Sequence, residues 1–399
     1  MPETILLIYT DDQLRQDLQT WLVGAGFAVQ AVNSLQGAIA ELFHSPALTL
    51  LDLALSRGDH AGFSQFGEHC QLTDVPCLCY SANGPFQPAE SVDLAPWSER
   101  YIFDPRNRAE VLQQVTTELK LKELVRQQEL IAGHLQEKQL ALEEGLRSAE
   151  MIQSSLLPGF LPACQQYRFA WRFLPCDKVG GDLLNLVQLD ERTIMVYLLD
   201  VSGHGVSSAM VTVSVYQSLS LHTGRIIKQL SDTPPYYRIP GPAEVLAELE
   251  KEYPYERFEK FFTICYLLLD VETGAVRFSN GGHPPPVLIR GDGSLELLSE
   301  GGALIGMGGL VPFEEGKVTL ATGDRIYLYS DGITEYAGPA NAMFGESRFF
   351  QLLRENSGVD LDNSCSQVIS KLQTFGQGVR VVDDITLLGV EYCGQGACY

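Results

Sequence analysis

Residues 106–157 contain no proline and only two glycines, at 133 and 145, and no other stretch constrains the fold as strongly. The stretch is rich in Glu, Gln, Lys and Leu, all good helix formers, and predicts one long helix. Leu124, Ile131, Leu135, Leu142, Ala149, Ile152 and Leu156 fall on a single stripe of three- and four-residue spacing, interrupted by Gln128, Lys138 and Gly145. A lone helix of this length would leave that stripe in water. The expectation is a weakened coiled coil joining two copies as a homodimer, with a solvated helical spacer as the alternative. The chain then divides into residues 1–118, a helical linker over 119–157, and residues 158–394.

A chain of 399 residues has room for two or three domains. It has 45% apolar residues, yet no run approaches the roughly 18 to 20 uncharged apolar residues needed to span a bilayer. The start, "MPETILLIYTDDQ", lacks the basic segment of a signal peptide, so a cytoplasmic protein is expected. Fifty acids against 28 Lys and Arg give a net charge of −22, which repels nucleic acid and anionic membrane and favours cations. The nine cysteines form no CxxC pair or regular framework, and reduced thiols are expected. Cys77 and Cys79 alternate as small core residues of a strand.

Before the long helix, the runs "ILLIY", "LTLLDL", "PCLCYSA" and "YIF" alternate with amphipathic stretches such as "LRQDLQTWLVGAG". That rhythm predicts an α/β unit, a parallel sheet wrapped by helices. "LLPGFLP" then stops the helix. Beyond it, "TIMVYLLDV", "FFTICYLLLDV", "AVRFSNGG", "PPVLIR" and "DRIYLYSDG" carry the β-branched and aromatic content of strands. Helices are expected at "SSAMVTVSVYQSLSLHTG", "GPAEVLAELEKEY", "SRFFQLLRENSG" and "SCSQVISKLQTFG". The order predicts an α+β domain of stacked sheets flanked by helices. "SDTPPYYRIPGP", with four prolines, is expected to be a surface loop.

Several apolar runs or tight turns in the last 250 residues end on an acid: Asp182 in "VGGDLLN", Asp200 in "YLLDV", Asp331 in "IYLYSDG", and Asp383 and Asp384 in "VRVVDDITLLGV". Singly, each could form a turn or cap a helix. If they converge, their repulsion demands cations, and all-oxygen ligation is the habit of Mg²⁺ and Mn²⁺. No Cys/His set suits zinc and no GxxxxGK[ST] loop is present. The chemistry implied is a carboxylate-bridged pair of hard metals that activates water for attack on a phosphoryl group.

From about residue 147 to 392, "AEMIQSSLLP", "VGGDLLN", "LLDVSGHGVSSAM", "FFTICYLLLD", "SNGGHPPPVLI", "ALIGM", "GDRIYLYSDGITE" and "VVDDITLLGV" occur in order. They resemble the metal-dependent PPM-type (type 2C) serine/threonine phosphatases, in the bacterial branch typified by stage II sporulation E and the sigma-B-regulating phosphatases. The resemblance implies that Asp182 reaches one metal, that Asp200 bridges two, and that the Val201 carbonyl completes a site. Gly203 and Gly205 would let the chain turn close to the ions, while Asp331 and Asp383 would hold the metal from opposite strands. Asp384 is the neighbour that the family does not normally use. The family's second acid, three residues after the first, is Asn185 here, and its Leu-Asn pair is Leu249 and Glu250. His204 and His283 are open to proton-transfer or structural roles. Arg172 and Lys178 are open to phosphate contact or plain solvation.

The front region resembles the receiver domain of bacterial response regulators, through "ILLIYTDD", "LTLLDLALSRGDHAGF", "VPCLCYSAN" and "YIFDPRN". Asp52 falls on the phosphoacceptor position and Ser81 on the hydroxyl switch. The metal-holding acid pair falls instead on Tyr9 and Thr10, with Asp11 and Asp12 displaced, and Asp104 stands where the family places a lysine. An acyl phosphate on Asp52 would lack its metal and its cation. The resemblance therefore implies a degenerate pseudo-receiver that senses by protein contact, against the alternative that Asp11 substitutes in phosphorylation.

Together these readings predict a metal-dependent phosphatase acting on phosphoserine or phosphothreonine, with an anti-sigma-factor antagonist as the substrate that the resemblance implies. The front domain and helix would control it through dimer geometry. A catalytically inert, protein-binding pseudophosphatase is the competing expectation, although every metal-acid position is filled. A relic of a diguanylate cyclase signature in "GGDLL" fits poorly, because Leu183 stands where the next acid belongs.

Overall fold

The computed structural model describes residues 2–57, 59–83, 100–159, 161–162, 164–221, 225–309 and 311–394. The chain divides into two compact units, residues 1–139 and 140–399.

The first unit runs β1 (Thr4–Ile8), α1 (Asp12–Gly24), β2 (Ala28–Val32), α2 (Leu35–Leu42), β3 (Leu48–Asp52), α3 (His60–Leu72) and β4 (Cys77–Tyr80). The strands form a parallel sheet in the order β2-β1-β3-β4. A parallel bridge from Cys79 to Tyr101 is all that forms of the strand expected at "YIF". Alternation sends Ile5, Leu7, Leu48 and Leu50 to one face and Leu6, Ile8 and Leu51 to the other, so each face buries its own apolar cluster. Cys70, Cys77 and Cys79 pack in the second cluster as core residues. Cys393, near the other end of the chain, is disulfide-bonded, against the expectation of reduced thiols throughout. Cys398 lies outside the described residues.

α4 (Arg108–Leu156) is one helix of 49 residues, within two residues of its expected bounds. Asn107 starts it by accepting hydrogen bonds from the amides of Ala109 and Glu110, as an N-cap does. Pro158 blocks continuation two residues past its end. Val111 and Val115 are buried on the first unit's sheet. Leu124, Ile131, Leu135 and Leu142 are each more than half exposed. No described helix is long and apolar enough to cross a membrane.

The second unit continues with β5 (Tyr167–Leu174), β6 (Leu183–Gln188), β7 (Thr193–Val201), α5 (Val206–Ser218), β8 (Gln229–Leu230) and β9 (Tyr237–Arg238). Next come α6 (Pro242–Glu252), the helical turn α7 (Tyr255–Phe258), β10 (Phe262–Asp270), β11 (Ala275–Gly281), β12 (Val287–Ile289) and β13 (Leu295–Leu297). β14 (Gly301–Gly302), β15 (Gly316–Thr319), β16 (Arg325–Tyr329), α8 (Asp331–Thr334), α9 (Glu346–Glu355), α10 (Leu361–Gly376) and β17 (Ile385–Tyr392) complete it. α5 stops short of its expected span, at Ser218, and the last three expected residues, 222–224, lie outside the described residues. The proline-rich loop contains half of a small hairpin, β8 with β9.

One sheet has the order β14-β11-β10-β7-β6, with β15 also on β11; the other is β13-β12-β16-β17-β5. They pack face to face around Leu184, Val196, Leu198, Leu267, Leu328 and Leu388. α5 and α6 cover the outer face of the first sheet through Val211, Val215, Val245 and Leu249. α9 and α10 cover the second through Phe349, Leu353, Val368 and Leu372. The result is a four-layer α+β sandwich with its main core between the sheets.

Candidate metal centre

The two-residue period of the strands aims the acids. In β7, Ile194, Val196 and Leu198 point between the sheets while Met195, Tyr197 and Leu199 point to the helices. Asp200 is the next residue of the inward row. Leu184 and Leu186 of β6 face inward, and Asp182 lies in phase just before them. Leu388 and Val390 of β17 set the phase of Thr386 and Asp384; Ile326 and Leu328 of β16 set that of Ser330. Apolar core rows from both sheets therefore turn polar at one end of the sandwich.

The carboxylates meet there. Asp182 is buried, at 2% exposure, and is held well above the usual carboxylate range by burial and then by the charges of Asp200 and Asp384, which hydrogen bonds from Thr386 and Ser330 partly offset. Asp200 is pushed up to about 7 by burial, followed by the charges of Asp331, Asp383 and Asp384. Asp331, at the start of α8, is raised by burial and by Glu335. Burial also raises Asp383, with Asp331 and Asp384 adding to it while His204 opposes. Carboxylates buried this close together favour a bound cation.

Asp384 differs from its neighbour. It is 2% exposed and accepts from the amides of Cys176 at 2.8 Å, Gly181 at 2.7 Å and Asp182 at 3.2 Å. Its oxygens are thus spent on holding the 176–182 loop. Asp383 uses one oxygen on the Asp384 amide.

Main-chain oxygens also converge. A Cβ on Gly181 would lie 2.6 Å from the Val201 carbonyl, 3.1 Å from that of Gly203 and 3.3 Å from Asp200 Oδ1. Gly203 and Gly205 turn the chain there with φ of 76° and 85°, a conformation that favours glycine.

Residues 190–392 match the Stage II sporulation protein E (SpoIIE) family, slightly more than half of the chain. The chain belongs to the SpoIIE family. Asp200, Val201, Asp331 and Asp383 lie inside the matched span and Asp182 just before it. Phosphoserine phosphatase RsbP of Bacillus subtilis is 26% identical over 212 residues, 52% of this chain and 48% of RsbP. Protein IcfG of Synechocystis sp. is 24% identical over 269 residues, 63% of this chain and 41% of IcfG. The chain spans about half or less of the length of these two relatives. The SiaA-PP2C domain of Pseudomonas aeruginosa has the same fold, with a TM-score of 0.52 at 21% identity over 64% of this chain and 98% of that domain.

In this SpoIIE-family chain the donors suit a hard divalent cation. They are carboxylates and backbone carbonyls, with no thiolate or imidazole among them. Among the described residues no three Asp, Glu, His or Cys side chains by themselves form a metal-holding group. Carbonyl oxygen and water must complete any coordination shell, and the cradle at Gly181 presents such oxygen.

The other residues singled out in the sequence sort by contact. Asn185 lies opposite Tyr197 on the helix side of the sheet, away from the acids. Arg172 is tied to Asp362 and Ser366 on α10, and Lys178 is exposed. His283 is buried, bonds Thr263 across from Asp200, and is held down at about 3 by burial. His204 is exposed beside Asp383. Glu250 accepts from the amides of Gly306, Gly308 and Gly309 at 2.6–3.0 Å, fixing the "ALIGMGG" loop. Lys260, not singled out before, donates to the Ser202 carbonyl at 2.8 Å and to Ser208 Oγ at 3.2 Å, bracing the turn after Val201.

In the first unit, Asp52 is fully buried. It accepts from the Thr10 hydroxyl and from the amides of Ala54 at 3.1 Å and Ala82 at 3.4 Å. Asp11 caps α1 by accepting from Gln13 and Leu14, and Asp12 pairs with Arg15. Asp104 accepts from the Arg106 amide, while the Arg106 side chain donates to the Ala82 carbonyl at 3.4 Å.

Proposed function

We propose that this protein is a metal-dependent protein serine/threonine phosphatase. The observation that carries the reading is the convergence of Asp182, Asp200, Asp331 and Asp383 at one end of the sandwich, where burial and then neighbouring acid charges raise their pKa values. Asp182, Asp200, Asp331, Asp383 and the Val201 carbonyl would hold two ions, Mn²⁺ or Mg²⁺. Once bound, the ions supply a water activated for direct attack on phosphorus and the charge that stabilises the departing oxygen. The chain's own part is positioning. β6 and β7 deliver Asp182 and Asp200 from one sheet, while the ends of β16 and β17 deliver Asp331 and Asp383 from the other.

The substrate would be phosphoserine or phosphothreonine on a regulatory protein. RsbP's description as a phosphoserine phosphatase supports that class, and the resemblance drawn from the motifs favours an anti-sigma-factor antagonist in the cytoplasm. Residues 158–394 would be the catalytic domain and 119–157 the linker, pairing with a second copy through its exposed leucines. Residues 1–118 would be a pseudo-receiver. Internal donors already satisfy Asp52, and Asp11 is committed to capping a helix, so neither is left to hold metal for an acyl phosphate.

The test is release of phosphate from a phosphoserine peptide by the full-length chain with Mn²⁺. Turnover that requires Mn²⁺ and is lost in Asp200→Asn supports the proposal. No turnover by the wild type, with no change on that substitution, would mark the chain as a protein-binding scaffold.

A further inference from the structure

Gln153 is 5% exposed, although α4 carries most of its polar side chains in solvent. Its carboxamide pairs with the Gly180 peptide in both directions. Nε2 donates to the Gly180 carbonyl at 2.8 Å, and the Gly180 amide donates to Oε1 at 2.9 Å. Both bonds are buried, so losing either leaves a main-chain group unsatisfied. Only an amide side chain supplies donor and acceptor together in this geometry.

The peptide it grips lies two residues before Asp182. A Cβ on Gly180 would come within 2.1 Å of Asp384 Oδ2, so Gly180 sits wedged between Gln153 and Asp384. The next carbonyl, of Gly181, accepts from Thr212 Oγ1 at 2.8 Å, and its amide donates to Asp384. Asp384, Thr212 and Gln153 thus hold three successive points of the loop that carries Asp182. Asp384 and Thr212 come from the sandwich and its covering helix; Gln153 alone comes from α4.

We infer that Gln153 is a positioning residue for the metal centre: its amide pair with Gly180 fixes the loop carrying Asp182, and so sets how tightly the acids hold a divalent cation. The inference rests on the metal-dependent reading proposed above. Partners one shell out from metal ligands commonly change affinity by about 10- to 100-fold when removed. Because both hydrogen bonds run through one side chain, they are lost together.

The experiment is Mn²⁺ titration of the full-length chain, followed by the paramagnetic resonance of free Mn²⁺, alongside thermal unfolding without metal. Gln153→Met, similar in size but without the amide, is expected to weaken Mn²⁺ binding about tenfold. The Mn²⁺ needed for half-maximal turnover should rise to match, with kcat at saturating Mn²⁺ retained. Leu156→Ala, which trims packing from the same helix end, is expected to lower the unfolding midpoint and leave Mn²⁺ affinity within twofold. Should Gln153→Met fail to fold, Gln153→Asn, too short to reach Gly180 in the same pose, is expected to show the weakening. Wild-type affinity in a folded Gln153 variant, or equal weakening by Leu156→Ala, overturns the assignment. A wild-type chain that binds no Mn²⁺ overturns the metal-dependent reading itself.

Discussion

Asp52 and Asp200 end nearly the same peptide, "LTLLD" in one unit and "VYLLD" in the other, and both close a buried strand. Asp52 meets a hydroxyl and two amides that donate hydrogen bonds to it from within the fold. Asp200 meets Asp331, Asp383, Asp384 and Asp182. An apolar strand ending on aspartate is therefore only a mount, and the opposing elements decide its use. Where they bring donors, the charge is settled; where they bring more acids, the site calls for cations.

The largest expected effect breaks this pair directly. Asp200→Asn should lower phosphatase turnover by about 10³-fold, as loss of a group that stabilises transition-state charge does, while Asp52→Asn should leave turnover within about twofold. Next comes the contrast between adjacent acids. Asp384→Ala leaves the amides of Cys176, Gly181 and Asp182 without their partner and should cost about 3 kcal/mol in urea unfolding. Asp383→Asn removes a charge that burial, and then Asp331 and Asp384, disfavour, so it should increase the metal-free unfolding midpoint even as it weakens Mn²⁺ binding.

A smaller effect follows from pH. The raised carboxyls bind protons more readily folded than unfolded, so the metal-free unit gains stability below about pH 4 and loses it as pH rises through about 7. Mn²⁺ competes with those protons. The rise in unfolding midpoint on adding Mn²⁺ should therefore be larger at pH 8 than at pH 5.5, and an equal rise at both would count against the acids as ligands. The smallest signal should come from Asp52. Acetyl phosphate with Mg²⁺ should leave the intact mass unchanged, whereas stoichiometric addition of one phosphoryl group at Asp52 would restore an active receiver.

Much of the site was legible because strand period and charge act locally. Asp182, Asp200 and Asp331 stand out as acids closing apolar runs or turns, and β7 has the bounds that "TIMVYLLDV" implies. The roles within "VVDD" were harder to read. Alternation through Leu388 and Thr386 reaches back to Asp384, but that its oxygens meet three amides of a loop some 200 residues earlier in the sequence is a tertiary fact. Gln153 lay in a noted motif, "AEMIQSSLLP", yet helical spacing cannot show that its amide pairs with Gly180. Lys260 and Glu250 act on main-chain groups, and such contacts leave no periodic trace. The strand expected at "YIF" shrank to a single bridge at Tyr101, since three residues specify little pairing on their own.

In the proposed phosphatase the acids of the second unit, and not Asp52, would hold the divalent metal. Calorimetric titration of Mn²⁺ into the wild-type chain, Asp200→Asn and Asp52→Asn tests it most directly. Binding by the wild type and by Asp52→Asn with the same stoichiometry and affinity is expected, with loss of that binding in Asp200→Asn. Mn²⁺ binding that survives Asp200→Asn, or that disappears with Asp52→Asn, would contradict it.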